Sequence, residues 1–222
     1  MIAQGMPRRV WLRACAAAGL AGVFPRVLAG GPDAVVVPGM HRLRGDVTVN
    51  GQPAHAGQFI KAGDMIATGS DAEAIYVIGE SAFLQRESSV VRFGADVVAD
   101  FMRIVSGKIL SVFGRGDKRL AVSTAVLGIR GTACYIEEQV GRTYFCLCYG
   151  EAEVVPVAAP QERETIRSKR HDHPIYIYAD PAMPKSMVKA EILNHTDAEL
   201  AMLESLVGRV PPFAGREDYK SL

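Results

Sequence analysis

Short apolar segments separated by turn-forming residues run through residues 43–154, and this pattern restricts the fold more than any other feature of the sequence. The segments recur roughly every 8–12 residues, which is typical of an all-β domain. Val47–Val49 alternates apolar and polar side chains before Asn50 and Gly51, a dipeptide that favours a tight hairpin because both positions accept positive φ. The other predicted strands are residues 35–37, 65–67, 75–78, 89–93, 109–113, 120–123, 132–138, 143–149 and 175–178.

The composition supports one folded domain. The chain has 222 residues, of which 49% are hydrophobic and 22% are charged, and its 22 glycines and 12 prolines imply many turns. A chain of this length fits a single domain with a small appendage. We therefore predict one β domain over residues 35–155, built as a sandwich or as an irregular β-solenoid.

The sequence changes character after the predicted β domain. Residues 156–170 are polar and rich in charge, which predicts a linker at the start of a C-terminal extension over residues 156–222. Further on, Thr196 and Glu199 have the spacing of a capping box, and apolar residues at helical spacing follow them. This predicts a short helix near residues 197–207 that packs on the β domain, with docking into a partner's groove as the alternative.

A basic and then apolar leader precedes the β pattern. Arg8 and Arg9 begin its basic stretch, residues 14–24 are largely apolar, and small residues end it at Ala29. This order predicts a signal peptide over residues 1–29, cleaved after Ala29, and hence a periplasmic protein, with a retained anchor as the alternative. The arginine pair, followed by an aromatic residue, a leucine and a further basic residue, resembles the twin-arginine export motif. The apolar run is too short to cross a hydrocarbon core of about 30 Å, so we expect no stable membrane insertion after cleavage.

The charge and the motif content argue against several classes of function. The formal net charge is +1, so no overall field favours nucleic acid as a partner. The sequence has no phosphate-binding loop, no dinucleotide fingerprint and no nucleophile elbow. Glu137 and Glu138 are adjacent on a predicted strand, so they point to opposite faces and cannot share a substrate. We therefore expect a binding protein and not an enzyme.

Two blocks of residues carry a resemblance to a known family. The first runs from Val47–Val49 and its Asn-Gly turn to Gly-Asp-Met-Ile-Ala-Thr-Gly at 63–69. The second begins with Gly-Lys-Ile at 107–109, contains Gly-Ile-Arg-Gly-Thr at 128–132 and ends in Gly-Glu-Ala-Glu-Val at 150–154. Together they resemble the FecR domain and span about half of the chain.

The resemblance implies an all-β periplasmic domain that senses or binds a partner. In the best-known members of the family, the domain senses the state of an outer-membrane receptor and controls a sigma factor. We therefore expect the chain to act in envelope signalling, with an envelope protein, a glycan or another small ligand as its partner.

The motif residues fit structural roles in turns and bends. Glycine adopts positive φ, and aspartate can bond nearby backbone groups, which suits turns. Arg130 lies between apolar residues and needs a partner, either turn carbonyls or a carboxylate, with an anionic ligand as the alternative. The residues with these expected roles are Gly63, Asp64, Thr68, Gly128, Arg130, Gly131 and Thr132.

Three cysteines lie outside the leader: Cys134, Cys146 and Cys148. A hairpin through residues 139–141 would set Cys134 opposite Cys146, and strand alternation would set Cys148 on the same face. The three thiols are therefore expected to converge. His195 supplies an imidazole just before the predicted helix.

Three interpretations of these thiols remain open. An oxidising periplasm favours a disulfide from Cys134 to Cys146 or Cys148. Cysteines also pack as small hydrophobic side chains without further chemistry. The third interpretation is a zinc or copper site that includes His171 and His173, because thiolates and imidazoles are ligands that these metals prefer. This third case makes a metal-binding or redox protein the alternative function, and outside it we expect no cofactor.

Overall fold

The computed structural model describes residues 36–94 and 101–215, so the predicted leader lies outside the described residues. The described strands form one sheet of 14 strands, followed by one short α-helix. The elements are β1 Gly39–Arg44, β2 Val47–Val49, β3 Gln52–Pro53, β4 Met65–Thr68, β5 Glu73–Ile78, β6 Ser81–Gln85, β7 Val90–Phe93, β8 Met102–Val112, β9 Asp117–Ala121, β10 Ala125–Gln139, β11 Arg142–Pro156, β12 Glu164–Ser168, β13 Ile175–Tyr178, β14 Met187–Lys189 and α1 Asp197–Leu206, with a 3₁₀ turn at Pro160–Glu162. The predicted all-β class and the predicted short C-terminal helix are confirmed.

Three long strands, β8, β10 and β11, form the spine of the sheet, and each changes its partner part of the way along. β8 pairs with β7 and then with β6, while β10 pairs with β9 and then with β8. β11 pairs with β10 along its length and with β13 and then β12 on its other side. The sheet therefore bends where the partners change.

Glycines with positive φ lie at these bends. Gly107 in β8, Gly131 in β10 and Gly150 in β11 have φ values of 83°, 53° and 97°. A Cβ atom on Gly107 would lie 2.2 Å from Ser89 Oγ, and one on Gly150 would lie 2.6 Å from Thr132 Cβ. At Gly107 and Gly150 only glycine accepts both the backbone conformation and the close approach, whereas at Gly131 the positive φ alone favours glycine. These positions therefore determine where the long strands bend.

The bent sheet has an apolar cluster on each face. Side chains alternate along the long strands, so Ile109 and Phe145 belong to the inner cluster, around which the sheet curves. Their neighbours Leu110 and Cys146 belong to the outer cluster. The outer cluster is completed by residues that follow β14, and it therefore depends on the C-terminal part of the chain.

We call residues 190–213 the covering segment, because they lie over the outer face of the sheet. Leu200, Leu203, Val207 and Phe213 of this segment are buried in the outer cluster. The capping box is present: the Thr196 hydroxyl accepts from the Glu199 amide, and the Glu199 carboxylate accepts from the Thr196 amide. The structure therefore places the predicted helix against the outer face of the sheet.

The region predicted as a linker, residues 156–170, contains regular structure. β12, Glu164–Ser168, pairs antiparallel with β11 through Gly150 to Val154. Ile166 and Ser168 are buried although Glu164, Arg167 and Lys169 around them are charged, which explains why composition alone suggested a solvated connection. No helix among the described residues has the length and apolar character needed to cross a membrane.

Candidate metal centre

Four buried side chains converge under the covering segment. Cys146, Cys148, His171 and His195 each present one potential ligand atom, and these atoms all lie within 4.8 Å of one another. Cys146 Sγ lies 3.6 Å from His171 Nδ1, and His195 Nε2 lies 3.0 Å from the same His171 atom. The structure thus brings together residues that are far apart in the sequence into a Cys₂His₂ cluster.

The two cysteines point to the outer face because they alternate with Leu147 on β11. In the observed register Cys146 is opposite Tyr135, and Cys134 is opposite Leu147. Cys134 therefore belongs to the inner cluster, whereas Cys146 and Cys148 belong to the outer one.

The expected convergence of three thiols is therefore wrong. The hairpin closes through two residues, Val140 and Gly141, because Gln139 pairs directly with Arg142. A change of one residue in register moves a side chain to the other face of the sheet. Cys134, Cys146 and Cys148 are all free thiols in this structure, so the disulfide from Cys134 to either partner is not formed.

His171 is placed by the loop between β12 and β13. Its backbone adopts φ 51°, which is uncommon for a residue other than glycine. Its amide donates to the Cys148 carbonyl over 2.9 Å, which fixes the loop against β11. His173, two residues further on, is exposed and takes no part in the cluster.

His195 is placed by the covering segment, immediately before α1. The preceding Asn194 also has a positive φ, 54°, and its side chain donates to Glu137 over 2.7 Å. The imidazole of His195 stacks on the Tyr135 ring at a centroid distance of 4.6 Å. These contacts direct His195 Nε2 toward His171.

The outward nitrogen of each histidine has an oxygen acceptor. His171 Nε2 lies 3.1 Å from Asp197 Oδ1, and Asp197 also accepts from Arg170 over 2.6 Å. His195 Nδ1 lies 2.5 Å from the Leu193 carbonyl. A carboxylate and a carbonyl can only accept, so the outward nitrogens carry the hydrogens in the neutral rings.

This hydrogen bonding leaves His171 Nδ1 and His195 Nε2 3.0 Å apart, each with its lone pair directed at the other nitrogen. Two such lone pairs in contact are unfavourable unless a proton or a metal ion lies between them. Histidine ligands of metals characteristically donate their other ring nitrogen to a carboxylate or a backbone carbonyl, as both rings do here.

The electrostatics of the cluster favour a charged sulfur. The hydrogen bond from Cys148, followed by those of His171 and His195, lowers the pKa of the Cys146 thiol to about 3. Burial instead raises the pKa of Cys148 well above its ordinary value. Burial lowers the pKa of His171, but its hydrogen bonds with Cys146 and Asp197 outweigh burial and leave that pKa raised. The pKa values of the two thiols are thus shifted in opposite directions, so Cys146 ionises before Cys148.

Cys146, His171 and Asp197 also have the order of a nucleophile, a base and an orienting carboxylate. Cys146 Sγ lies 3.6 Å from the imidazole, and the imidazole lies 3.1 Å from the carboxylate. However, all three residues are buried, and Cys146 and Asp197 have no exposed surface. In this conformation a dissolved substrate does not reach the sulfur, so the geometry suits an enclosed ion better than covalent catalysis.

The motif residues predicted from sequence lie away from the cluster and make structural contacts. Asp64 accepts from the Asn50 side chain over 2.8 Å and from the Lys61 amide over 2.7 Å, which joins two turns. Gly63, with φ 87°, forms part of the second turn. Thr68 donates to the Arg86 carbonyl over 2.5 Å and accepts from the Ser89 amide over 3.1 Å.

The second motif lies at the bend of β10. Gly128 is paired in register with Glu153, and the register shifts between Arg130 and Ala133, where Gly131 has positive φ. The buried Thr132 packs against Gly150 of β11. Arg130 is 66% exposed and lies 3.5 Å from Asp117 and 3.4 Å from Glu151, so its partners are carboxylates at the surface.

Sequence reasoning did not identify the residues that hold the histidines in place. Asp197 follows the N-cap of α1, where an acidic residue has an ordinary role in helix stability. Arg170 belongs to a charged stretch that suggested a solvated linker. His195 was a candidate because it precedes the predicted helix, but no pattern in the sequence paired it with His171.

Comparisons with known proteins give little further information. No family model matches the sequence, and no curated protein matches it. Two crystal structures of Parabacteroides distasonis ATCC 8503 proteins, each described as a "putative anti-sigma factor", are similar with TM-scores of 0.48 and 0.46 at 11% and 10% identity. The first similarity covers 63% of this chain and 64% of that chain, and the second covers 57% and 59%. The chain thus spans less than two thirds of each.

Proposed function

We propose that this chain is a metal-binding protein without enzymatic activity, and that its ion is zinc, held by Cys146, Cys148, His171 and His195. The observation that carries the proposal is the pair of facing imidazole nitrogens, 3.0 Å apart, beside two buried thiols. A metal ion accepts all four lone pairs at once, whereas a single proton satisfies only one contact between them.

The size of the cluster suits one ion. Zinc bonds of about 2.3 Å to sulfur and about 2.0–2.1 Å to nitrogen place tetrahedral ligands about 3.3–3.8 Å from one another. The widest separation here is 4.8 Å, so the side chains need to close by about an ångström at most. A two-iron cluster spreads its cysteine and histidine ligands over two metal ions, and the 3.6 Å contact between Cys146 and His171 is too short for that.

The charges favour a divalent ion over Cu(I). A bound cation drives coordinating thiols to their thiolates, so Cys146 and Cys148 would together contribute two negative charges. Arg170 neutralises Asp197 beside the site. A dication leaves this buried group neutral, whereas a monovalent copper ion leaves one uncompensated negative charge, which is costly in a protein interior.

Metal analysis of the full chain, purified under reducing conditions, tests the proposal. We expect about one zinc per chain, with four-coordinate ligand-field bands when Co²⁺ replaces it. Cys146→Ser and His171→Ala are expected to lose the ion, while the matched controls Cys134→Ser and His173→Ala retain it. Protein that binds neither Zn²⁺ nor Cu(I) in stoichiometric amount would overturn the proposal, and one equivalent of Cu(I) with no zinc would overturn the choice of ion.

A second role, in envelope signalling, is proposed from the FecR-like motif residues. In this proposal the chain is exported to the periplasm, and its sheet binds an envelope protein, a glycan or another small ligand. The support is an open edge: β14 is the terminal strand of the sheet, and its Val188 is exposed. An open strand edge can accept a strand from a partner.

Cell fractionation and site-specific cross-linking test this second role. We expect the processed chain in the periplasmic fraction and a discrete cross-linked product from a photoreactive residue at position 188. The same probe at the exposed hairpin residue Val140 is the control. A cytoplasmic chain, or equal cross-linking from both positions, would contradict the role.

A further inference from the structure

We infer that the bound ion controls how firmly the covering segment, residues 190–213, is held on the outer face of the sheet. This inference rests on the proposed metal site and concerns its regulation. The ion would act as a removable link between two parts of the fold.

The link follows from where the ligands come from. Cys146 and Cys148 belong to β11, and His171 belongs to a loop whose backbone is bonded to β11. His195 belongs to the covering segment. A bound ion therefore joins the segment to the sheet through His195, and Asp197 at the start of α1 strengthens the joint from the same segment.

Without an ion the same joint contains groups that do not satisfy one another. His171 Nδ1 and His195 Nε2 face each other at 3.0 Å beside the Cys146 sulfur. They must share a buried proton or admit water, and both choices weaken the contact between the segment and the sheet. When the segment opens, the two imidazoles separate, and the unfavourable contact between their lone pairs is lost.

The remaining contacts allow the segment to move as a local unit. Its start is tied by the Ala190 amide to the Pro174 carbonyl over 2.9 Å, and Arg209 near its end donates to the Glu80 carbonyl over 2.8 Å. Between these points its polar contacts include those of Asn194 with Glu137, of Glu199 with Arg86 and of the buried Glu204 with Tyr149. The sheet itself is held by its own ladders and by the inner cluster, which does not include the segment.

Opening has a chemical consequence. The outer face under the segment includes Ile75, Val77, Leu84 and Leu110, each of which is at most 4% exposed. Loss of the ion therefore converts a covered sheet face into an accessible apolar surface. The metal state would therefore set how much apolar surface the outer face exposes to water.

Hydrogen exchange of the full chain, measured by mass spectrometry with zinc bound and after chelation, tests the inference. An ion that binds only the closed state lowers the population of the open state by a factor of one plus the ratio of the free ion concentration to the dissociation constant. This factor is about 100 when the concentration is 100 times the dissociation constant. We expect amides of residues 190–213 to exchange about 100-fold faster after chelation. Amides of β7 and β8 are expected to remain unchanged. His173→Ala is the matched control and should behave as the unaltered chain.

The outcomes separate the two proposals, because metal content is measured on the same samples. One bound zinc with no change in segment exchange would overturn the inference and leave the metal site standing. Absence of stoichiometric metal would overturn both. Faster exchange throughout the sheet after chelation would also overturn the inference, since the ion would then support the whole fold. In His195→Ala, exchange of the segment should be fast at every zinc concentration, and restored zinc protection would contradict the link.

Discussion

Asp197→Asn tests the metal centre at the residue that orients His171. The substitution keeps the shape of the side chain but removes the carboxylate charge that accepts from His171 Nε2 at 3.1 Å and from Arg170 at 2.6 Å. Loss of such an outer partner typically weakens metal binding by about 10–100-fold, which corresponds to about 1.4–2.7 kcal/mol. We expect the zinc affinity of the variant to fall by this factor.

Competition with a chromophoric chelator gives the affinity directly. Asp172→Asn is the matched control: Asp172 is the exposed neighbour of His171 in sequence and accepts from the Lys169 amide over 2.6 Å, but it does not contact the imidazole ring. The control should retain the affinity of the unaltered chain. Equal affinities for the Asp197 and Asp172 variants would refute the argument that the carboxylate–histidine pair prepares the site.

Three further predictions address the fold around the site. Gly107→Ala should lower the free energy of unfolding by about 2–4 kcal/mol in urea titrations, because its Cβ would lie 2.2 Å from Ser89 Oγ. Gly141→Ala is the control: nothing lies within 4 Å of its Cβ, so it should lower the same free energy by only about 1–2 kcal/mol. Cys134→Ser should lower stability by about 1–3 kcal/mol, since a hydroxyl enters the inner cluster, yet leave zinc content unchanged; loss of zinc would contradict the register of the hairpin. Burial raises the pKa of Glu204, so the folded chain holds a proton that the unfolded chain releases, and stability should fall as pH rises from the ordinary pKa of glutamate to the raised one. Glu204→Gln should flatten that fall, and an unchanged pH profile of the unfolding free energy would oppose this assignment.

Local patterns in the sequence correctly predicted many of the strands. Val47–Val49 and Ile175–Tyr178 were predicted with the observed bounds, and Asn50 and Gly51 have the positive φ values, 54° and 76°, that their turn requires. Strands such as β6 were missed because buried residues on both faces remove the alternation that marks a strand.

The site was less predictable because it depends on register and on distant segments. That Cys146 and Cys148 lie on the same face of β11 followed from strand alternation alone. The position of Cys134 depended on whether the hairpin loop had two residues or three, a distinction that moves a side chain across the sheet. The choice of His195 over His173 depended on how the covering segment returns to the sheet, and no local pattern encodes that path.

X-ray absorption at the zinc edge, on the full chain purified under reducing conditions, tests the central claim most directly. The account predicts two sulfur ligands at about 2.3 Å and two nitrogen ligands at about 2.0–2.1 Å around a single ion. A shell of oxygen and nitrogen ligands without sulfur would contradict it, because Cys146 and Cys148 would then have no part in binding.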